Sequence, residues 1–280
     1  MALKNYIRER FFPHFWCAGC GHGIVMNGLV RAIEKLRLSK NDVVMVSGIG
    51  CSSRITGYLD FHTMHTLHGR ALAFATGIKL SRQELKVIVP MGDGDALAIG
   101  GNHFIHAARR NIDITAIVMN NRIYAMTGGQ YSPLSGYGTM ASTAPYSNID
   151  QSFDVVELAA AAGATFVARS TTYNVIEMAE MIQNAILHKG FSVVEIMTQC
   201  PTYFGRRNKL GDAVDMLKYM NTTTTTIGSE CIDEDQELIE IDSEAKKEQQ
   251  KIKRGIFIRK ERPEYCAAYD EIIRRAKEGK

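Results

Sequence analysis

The sequence predicts an α/β fold: a parallel sheet with helices on both faces, followed by a C-terminal extension. Three observations predict it. Short runs rich in β-branched residues recur at wide intervals, helix-like stretches lie between them, and the chemically unusual residues gather where the runs end. Runs almost without polar alternation suit strands buried on both faces. Helices between such strands provide the crossovers that a parallel sheet requires.

Taken in order, His22–Leu36 reads as a helix with Ile24, Leu29 and Ile33 on a roughly common face. Asp42–Ser47 (DVVMVS) reads as the first strand, and Gly48-Ile49-Gly50-Cys51-Ser52-Ser53 follows it. His62, His65 and His68 recur every third residue, a spacing that could set metal ligands on one helical face, although the cysteines and a carboxylate described below already account for the metals. Arg70–Leu80 is an Ala-rich helix with Leu72, Phe74 and Ile78 apolar. The strand Lys86–Met91 runs into Gly92-Asp93-Gly94-Asp95, and the helix Gly101–Arg110 leads to the strand Asp113–Asn120, which ends in Asn120-Asn121-Arg122. Helices over Asp154–Ala162 and Asn174–His188 alternate with strands over Thr165–Arg169 and Ser192–Thr198. Asp154 and Asn174 suit N-caps. The last strand ends in Cys200-Pro201. In open α/β sheets ligands bind outside the carboxyl ends of the strands, so four such ends with special residues suggest one shared site.

Composition limits the function classes. A chain of 280 residues, 45% hydrophobic, can bury a sizeable core as one or two domains. A formal charge of +3 is too small to argue for nucleic acid or a membrane surface. The opening MALKNYIRERFFPHFW lacks the apolar stretch of a signal peptide, and no window reaches the ~18 apolar residues of a membrane span, so a cytoplasmic location is expected. In that compartment six cysteines point to metal or redox chemistry more than to disulfides.

Gly92-Asp93-Gly94 and Asn120-Asn121 are each ordinary turn sequences. Together, at strand ends one crossover apart, they resemble the thiamine-diphosphate motif, which runs from GDG to NN. Magnesium bound to a diphosphate prefers hard oxygen ligands, and Asp93 offers a carboxylate and Asn121 an amide oxygen. Glycines at 92 and 94 let the backbone approach the phosphates, with Gly94 and Asp95 beside them near a helix start.

Cys17-Ala18-Gly19-Cys20 is a C-x-x-C pair just before the first helix, and Cys51 and Cys200 follow the first and last strands. The topology brings all four to one edge. Four thiolates suit a 4Fe–4S cluster or a structural zinc, and ligand type does not separate the two. Cys231 and Cys266, in the tail, read as ordinary thiols.

With these residues assembled, the chain resembles the β subunits of 2-oxoacid:ferredoxin oxidoreductases, most of all those acting on 2-oxoglutarate. The matching stretches are WCAGCGHG at Trp16–Gly23, GIGCSSR at Gly48–Arg54, HTLHGRA at His65–Ala71, GDGDALAIGGNH at Gly92–His103, NNRIYAMTGGQYSP at Asn120–Pro133, and Cys200-Pro201. They run in the family's order through most of Phe15 to Tyr203. The resemblance implies a thiamine-diphosphate-binding (pyrophosphate-type) domain and a 4Fe–4S cluster on Cys17, Cys20, Cys51 and Cys200. It implies Mg2+ on Asp93, Asn121 and the backbone carbonyl of Ile123. It also implies a reaction: a 2-oxoacid, coenzyme A and oxidised ferredoxin give acyl-CoA, carbon dioxide and reduced ferredoxin. Pyruvate or a branched 2-oxoacid is the alternative substrate.

Other residues take expected roles from their place beside these motifs. Ile49, Gly50, Cys51 and Ser52 should contact the cofactor. His68 matches a family histidine near its phosphates and can donate a hydrogen bond there. Arg54 can pair with a distal substrate carboxylate. Ala125 and Met126 follow the metal ligands and can line the substrate pocket. The glutamate that activates the aminopyrimidine in most thiamine enzymes has no candidate domain here, so family analogy puts it on an α subunit, with γ or δ subunits possible. The expected division is 1–205 for the cofactor- and cluster-binding domain and 206–280 for an arm at a subunit interface, where Thr222–Thr226 is low in complexity and Glu230–Arg262 dense in charge.

Three rival readings fit less well. A non-oxidative thiamine lyase with zinc leaves the four-cysteine set without a redox role. A nicotinamide dehydrogenase would need a third glycine after Gly48-Ile49-Gly50. A cluster-only scaffold leaves Asp93 with Asn121 unexplained. No G-x-S-x-G, H-E-x-x-H or P-loop pattern is present.

Overall fold

The predicted strands form because their side chains are apolar on both sides of the pleat. In the computed structural model, which describes residues 3–227 and 251–279, the strands at Val43–Ser47, Thr115–Asn120, Phe166–Thr171 and Ser192–Met197 are buried at every position. In chain order the elements are α1 (His22–Lys35), β1 (Val43–Ser47), α2 (Ile55–Tyr58), β2 (His62–His65), α3 (Ala71–Ser81), β3 (Lys86–Gly92), α4 (Asp93–Leu97), α5 (Gly101–Arg109), β4 (Thr115–Asn120), β5 (Ile123–Tyr124), β6 (Gln130–Tyr131), α6 (Val155–Ala161), β7 (Phe166–Thr171), α7 (Val175–Leu187), β8 (Ser192–Met197), α8 (Ala213–Thr223), β9 (Thr224–Thr226), β10 (Ile252–Arg259) and α9 (Tyr265–Lys277). A single π-turn, Pro201–Gly205, follows β8.

Eight strands pair in the order β2-β1-β3-β4-β8-β7-β10-β9, and β5 with β6 makes a separate small hairpin. All neighbours in the main sheet are parallel except β10, which runs antiparallel to β7. Alternation assigns each strand residue to a layer. Val44, Val46, Val87, Val89, Ala116 and Val118 pack with α3, α5, α6 and Cys266 of α9. Val43, Met45, Ile88, Ile117, Phe166 and Ala168 pack with α1 and α7 on the other face. Burying one such aliphatic side chain contributes roughly 1.5–3 kcal/mol, so the two layers supply most of the driving force. α1 and α7 approach closely at Gly28, where a Cβ would lie 2.4 Å from Met178 Cε.

From β1 the chain goes to β2 on one side, then returns past β1 to β3 on the other. This reversal opens a crevice at the carboxyl ends of β1 and β3, the usual place for a ligand in such sheets.

Two expectations need correction. His62–His65 is a strand, paired with β1 in register Val44↔His62 to Ser47↔His65, so the histidine triplet has no common helical face. β1 offers an open edge there, and pairing with it outweighs a periodicity of three residues. Asn174 does stand at the start of α7, but it makes no side-chain cap: its Oδ1 accepts from Thr171 Oγ1 at 2.8 Å. Asp154 caps α6 as expected, accepting from the N–H groups of Val156 and Glu157.

The described part of the tail is built into the sheet. Thr222 and Thr223 close α8, Thr224–Thr226 forms β9, and β10 binds the outer edge of β7. Cys231, and most of the charged stretch expected over Glu230–Arg262, lie outside the described residues. No helix among the described residues is long and apolar enough to cross a membrane.

Candidate active site

Three strand ends build one open cleft. The loop after β1 contributes Ile49, Gly50, Cys51 and Ser52; the turn from β3 into α4 contributes Gly92, Asp93, Gly94 and Asp95; the segment after β4 contributes Asn121, Ile123, Tyr124, Ala125, Met126 and Thr127. His22 and His68 complete the wall. Every expected cofactor contact therefore lines one cleft.

The two carboxylates in this cleft are held differently. Asp93, buried, accepts from Ser132 Oγ at 2.6 Å, and burial pushes its carboxyl up to about 6 despite that bond. Asp95 Oδ1 accepts from the Gly69 N–H at 2.7 Å and lies 2.7 Å from His68 Nδ1. Its Oδ2 is buried with no hydrogen-bond partner, an acceptor left for a donor that the protein does not provide. A Cβ on Gly48 would stand 2.3 Å from the Asp95 carboxylate, and one on Gly94 would stand 2.1 Å from the Tyr124 ring. Both glycines are there because a neighbouring side chain occupies the space. Burial, then Asp93 and Asp95, push the Tyr124 hydroxyl up to about 12.

Magnesium and a diphosphate fit these residues. Asp93 offers a carboxylate, and Asn121 Oδ1 accepts from the Ile123 N–H at 3.2 Å with a second lone pair free. Ile123 lines the same wall, which leaves its carbonyl as the third oxygen donor to be tested.

The four expected cluster ligands come to the same edge. Cys17 is exposed, Cys20 and Cys51 half-buried and Cys200 buried. Burial pushes Cys20 up to about 12 and Cys51 up to about 11, and each of the two feels the charges of Cys17 and Cys200. Burial raises Cys200 as well, although the N–H groups of Phe204 and Tyr203 in the π-turn point at it. Among the described residues no three His, Cys, Asp or Glu side chains are drawn together tightly enough to hold a metal ion. The donor chemistry suits a cluster, which is wider than a single ion and binds thiolates at its corners. Trp16 ties the Cys51 loop to the N-terminal segment, its Nε1 donating to the Cys51 carbonyl at 2.7 Å.

Arg54 is the expected residue that stands apart. It is exposed, over the Phe15 ring at 5.5 Å, and does not line the cleft. Met126 does line it, 37% exposed. Residue reasoning overlooked His22, Tyr124, Thr127 and Ser132. His22 carried a usable signal, since it follows the C-x-x-C pair directly. It is buried, its Nδ1 has no partner, and burial pulls its imidazole down to about 4. Ser132 reaches Asp93 from 39 residues away, and no local pattern announces that contact.

This geometry defines a thiamine-diphosphate enzyme domain, and comparison agrees: residues 48–196 match the family described as thiamine pyrophosphate enzyme, C-terminal TPP binding domain. The chain is 46% identical to the 2-oxoglutarate synthase subunit KorB of Methanocaldococcus jannaschii over 276 residues, which cover 99% of this chain and 98% of that one. It is 55% identical to the Archaeoglobus fulgidus protein of the same name over 214 residues, covering 76% and 79% of the two chains. The solved 2-oxoglutarate:ferredoxin oxidoreductase from Magnetococcus marinus, with 2-oxoglutarate, coenzyme A and succinyl-CoA bound, superposes with a TM-score of 0.85 at 34% identity, over 99% of this chain and 91% of that one. The chain belongs to the β subunits of the 2-oxoacid:ferredoxin oxidoreductases.

Proposed function

We propose that this chain binds thiamine diphosphate, Mg2+ and one 4Fe–4S cluster, and that with an α subunit it converts a 2-oxoacid and coenzyme A to acyl-CoA and carbon dioxide. Ferredoxin takes the electrons, and 2-oxoglutarate is the favoured substrate. The observation that carries the reading is Cys51. It lines the cleft beside Gly92–Asp95 and also lies within electrostatic range of Cys17 and Cys200, so one loop serves the cofactor and the cluster. The substrate preference is supported by the names of the relatives and of the solved structure.

In this reading thiamine diphosphate supplies the electron sink that decarboxylation needs. Asp93, Asn121 and the Ile123 carbonyl hold Mg2+ against the diphosphate. Gly94, Asp95 and His68 bind or orient the cofactor, with Ile49, Gly50, Ser52 and Ala125 packed against it. Cys17, Cys20, Cys51 and Cys200 hold the cluster that accepts electrons. Met126 lines the substrate space, and Arg54, exposed over the Phe15 ring, is the candidate partner for a distal substrate carboxylate. Residues 1–205 form the cofactor- and cluster-binding domain and 206–280 an interface segment. The protein's contribution is positioning and electrostatics.

The test is electron paramagnetic resonance on the anaerobically purified, dithionite-reduced chain. The expected result is the low-temperature signal of a reduced 4Fe–4S cluster, lost in Cys51→Ser or Cys200→Ser. A silent sample containing zinc and no iron would replace this reading with a non-oxidative thiamine lyase.

A further inference from the structure

Glu195 is out of place in its strand. β8 is buried at every position, and Val193, Val194 and Ile196 beside it are apolar, yet Glu195 is 3% exposed. A buried carboxylate is costly unless its oxygens are satisfied, and an apolar residue in such a place is often neutral or better for stability. The hydrogen bonds of Glu195 show what it contributes instead. Its Oε2 accepts from Arg169 Nε at 2.5 Å, and Arg169 also reaches Asp154 at 2.6 Å, so the carboxylate is held in one place. Its Oε1 accepts from Asn120 Nδ2 at 2.8 Å.

Asn120 passes that hold on to the turn that carries two expected magnesium ligands. The register pairs Val118 with Glu195, so Glu195 and Asn120 lie on one face of the sheet, a diagonal step apart. Asn120 Oδ1 accepts from the Arg122 N–H at 3.1 Å, and Ser135 Oγ donates to the Arg122 carbonyl at 2.6 Å. The peptide groups on both sides of Arg122 are thus fixed. One joins it to Asn121 and the other to Ile123. The restraint is needed, because Arg122 holds φ +60°, a left-handed conformation unfavourable for a residue with a Cβ. Ser135 Oγ also accepts from the Ser132 N–H at 2.8 Å, and Ser132 Oγ donates to Asp93 at 2.6 Å. One path of hydrogen bonds therefore runs from Glu195 to Asp93, past Asn121 and Ile123.

We propose that Glu195, acting through Asn120, is a positioning residue for the magnesium site: it fixes the turn at 120–123 in the one conformation that offers the Asn121 side chain and the Ile123 carbonyl together with Asp93. The inference rests on the magnesium reading proposed above and adds that the ligand geometry is set from β8. Neither Glu195 nor Asn120 lines the cofactor cleft, so both act through the turn and not on the metal. Residues that orient metal ligands in this way govern affinity without touching the ion.

The test is a titration with Mn2+, a paramagnetic substitute for Mg2+, on the full-length chain in the assembly in which it purifies, with excess thiamine diphosphate. Bound Mn2+ is read from the loss of the free-ion resonance at room temperature, and the melting temperature is measured on the same samples. Asn120→Ala removes the link and leaves the Glu195–Arg169 pair intact. Glu195→Leu combined with Arg169→Met removes it from the other side without stranding a buried guanidinium. Each should weaken Mn2+ binding about tenfold or more, and all three substitutions together should cost no more than either set alone. Lys79→Met, which breaks a buried ion pair at the other end of the sheet, should lower the melting temperature and leave Mn2+ affinity unchanged. Asn121→Ala separates the two levels of the inference. If it abolishes Mn2+ binding while the Asn120 or the Glu195 variant binds as wild type, if the losses of those two multiply, or if Lys79→Met weakens binding as much as they do, the positioning role is overturned and the magnesium site stands. If Asn121→Ala binds as wild type, the magnesium reading falls and the positioning role falls with it. Should the Glu195 variant not fold, Asn120→Ala alone decides, since it leaves the buried pair in place.

Discussion

Asp93 and Asp95 lie two residues apart on one short helix, and their surroundings divide their work. Asp93 accepts from the Ser132 hydroxyl and lines the cleft. Asp95 accepts from the loop after β2 and so fixes the Gly69 backbone and the His68 ring. Asp95→Asn keeps an acceptor but loses the charge. Charge-assisted bonds contribute about 1.5–3 kcal/mol, so most of that should be lost, read as a lower melting temperature of the apo chain. An unchanged melting temperature would show that the His68 loop is held by other contacts. Gly94 has a simpler part. Any Cβ there meets the Tyr124 ring, so Gly94→Val should turn the ring into the cleft and weaken thiamine diphosphate at least tenfold in calorimetry with Mg2+. Unchanged affinity would place the diphosphate away from this turn.

At the scale of elements, the sheet's amino-terminal end is fastened by an internal ion pair. Lys79 of α3 is 2% exposed and reaches Asp113, just before β4, at 2.6 Å, while its Nζ also donates to the Leu85 carbonyl. Removing one partner leaves a buried charge, so Lys79→Met should cost about 3–5 kcal/mol of stability in denaturant titration. Lys79→Met combined with Asp113→Leu should recover part of that loss. A single substitution with no measurable effect would mean that Lys189, 3.8 Å from Asp113, compensates alone. The sheet's outer edge is fastened differently. β10 is only partly buried, and Arg254 pairs with Glu177 of α7 across the layer. Its charge pattern reads as solvated chain, and only the open edge of β7 turns it into a strand.

For the whole molecule, the reversal of strand order at β1 decides where chemistry can occur. It sets the Cys51 loop beside the Gly92–Asp95 turn, and the end of β8 brings Cys200 to the same side. Leu67, Ile149 and Tyr146 are large apolar side chains left 68%, 76% and 96% exposed. Relatives of this chain carry the name subunit beta, which implies a partner chain. The purified single chain should therefore show no 2-oxoacid oxidation with coenzyme A and an electron acceptor, and co-expression with an α subunit should restore it. Turnover by the single chain would refute the division of labour proposed here.

The architecture is legible in the sequence, and so are the motifs that gather at the cleft. Five buried strands and the helices between them were legible because β-branched runs and 3.6-residue periodicity report local burial, and the GDG, NN and cysteine motifs are contiguous in the chain. β2, β9 and β10 were not legible, because they are short or polar strands that exist only where a neighbouring edge supplies the hydrogen bonds. The tertiary structure alone shows that Ser132 holds Asp93, that Asp95 anchors the His68 loop, and that Arg54 stays outside the cleft. Those outcomes depend on contacts between residues tens of positions apart, whose energies no local pattern contains.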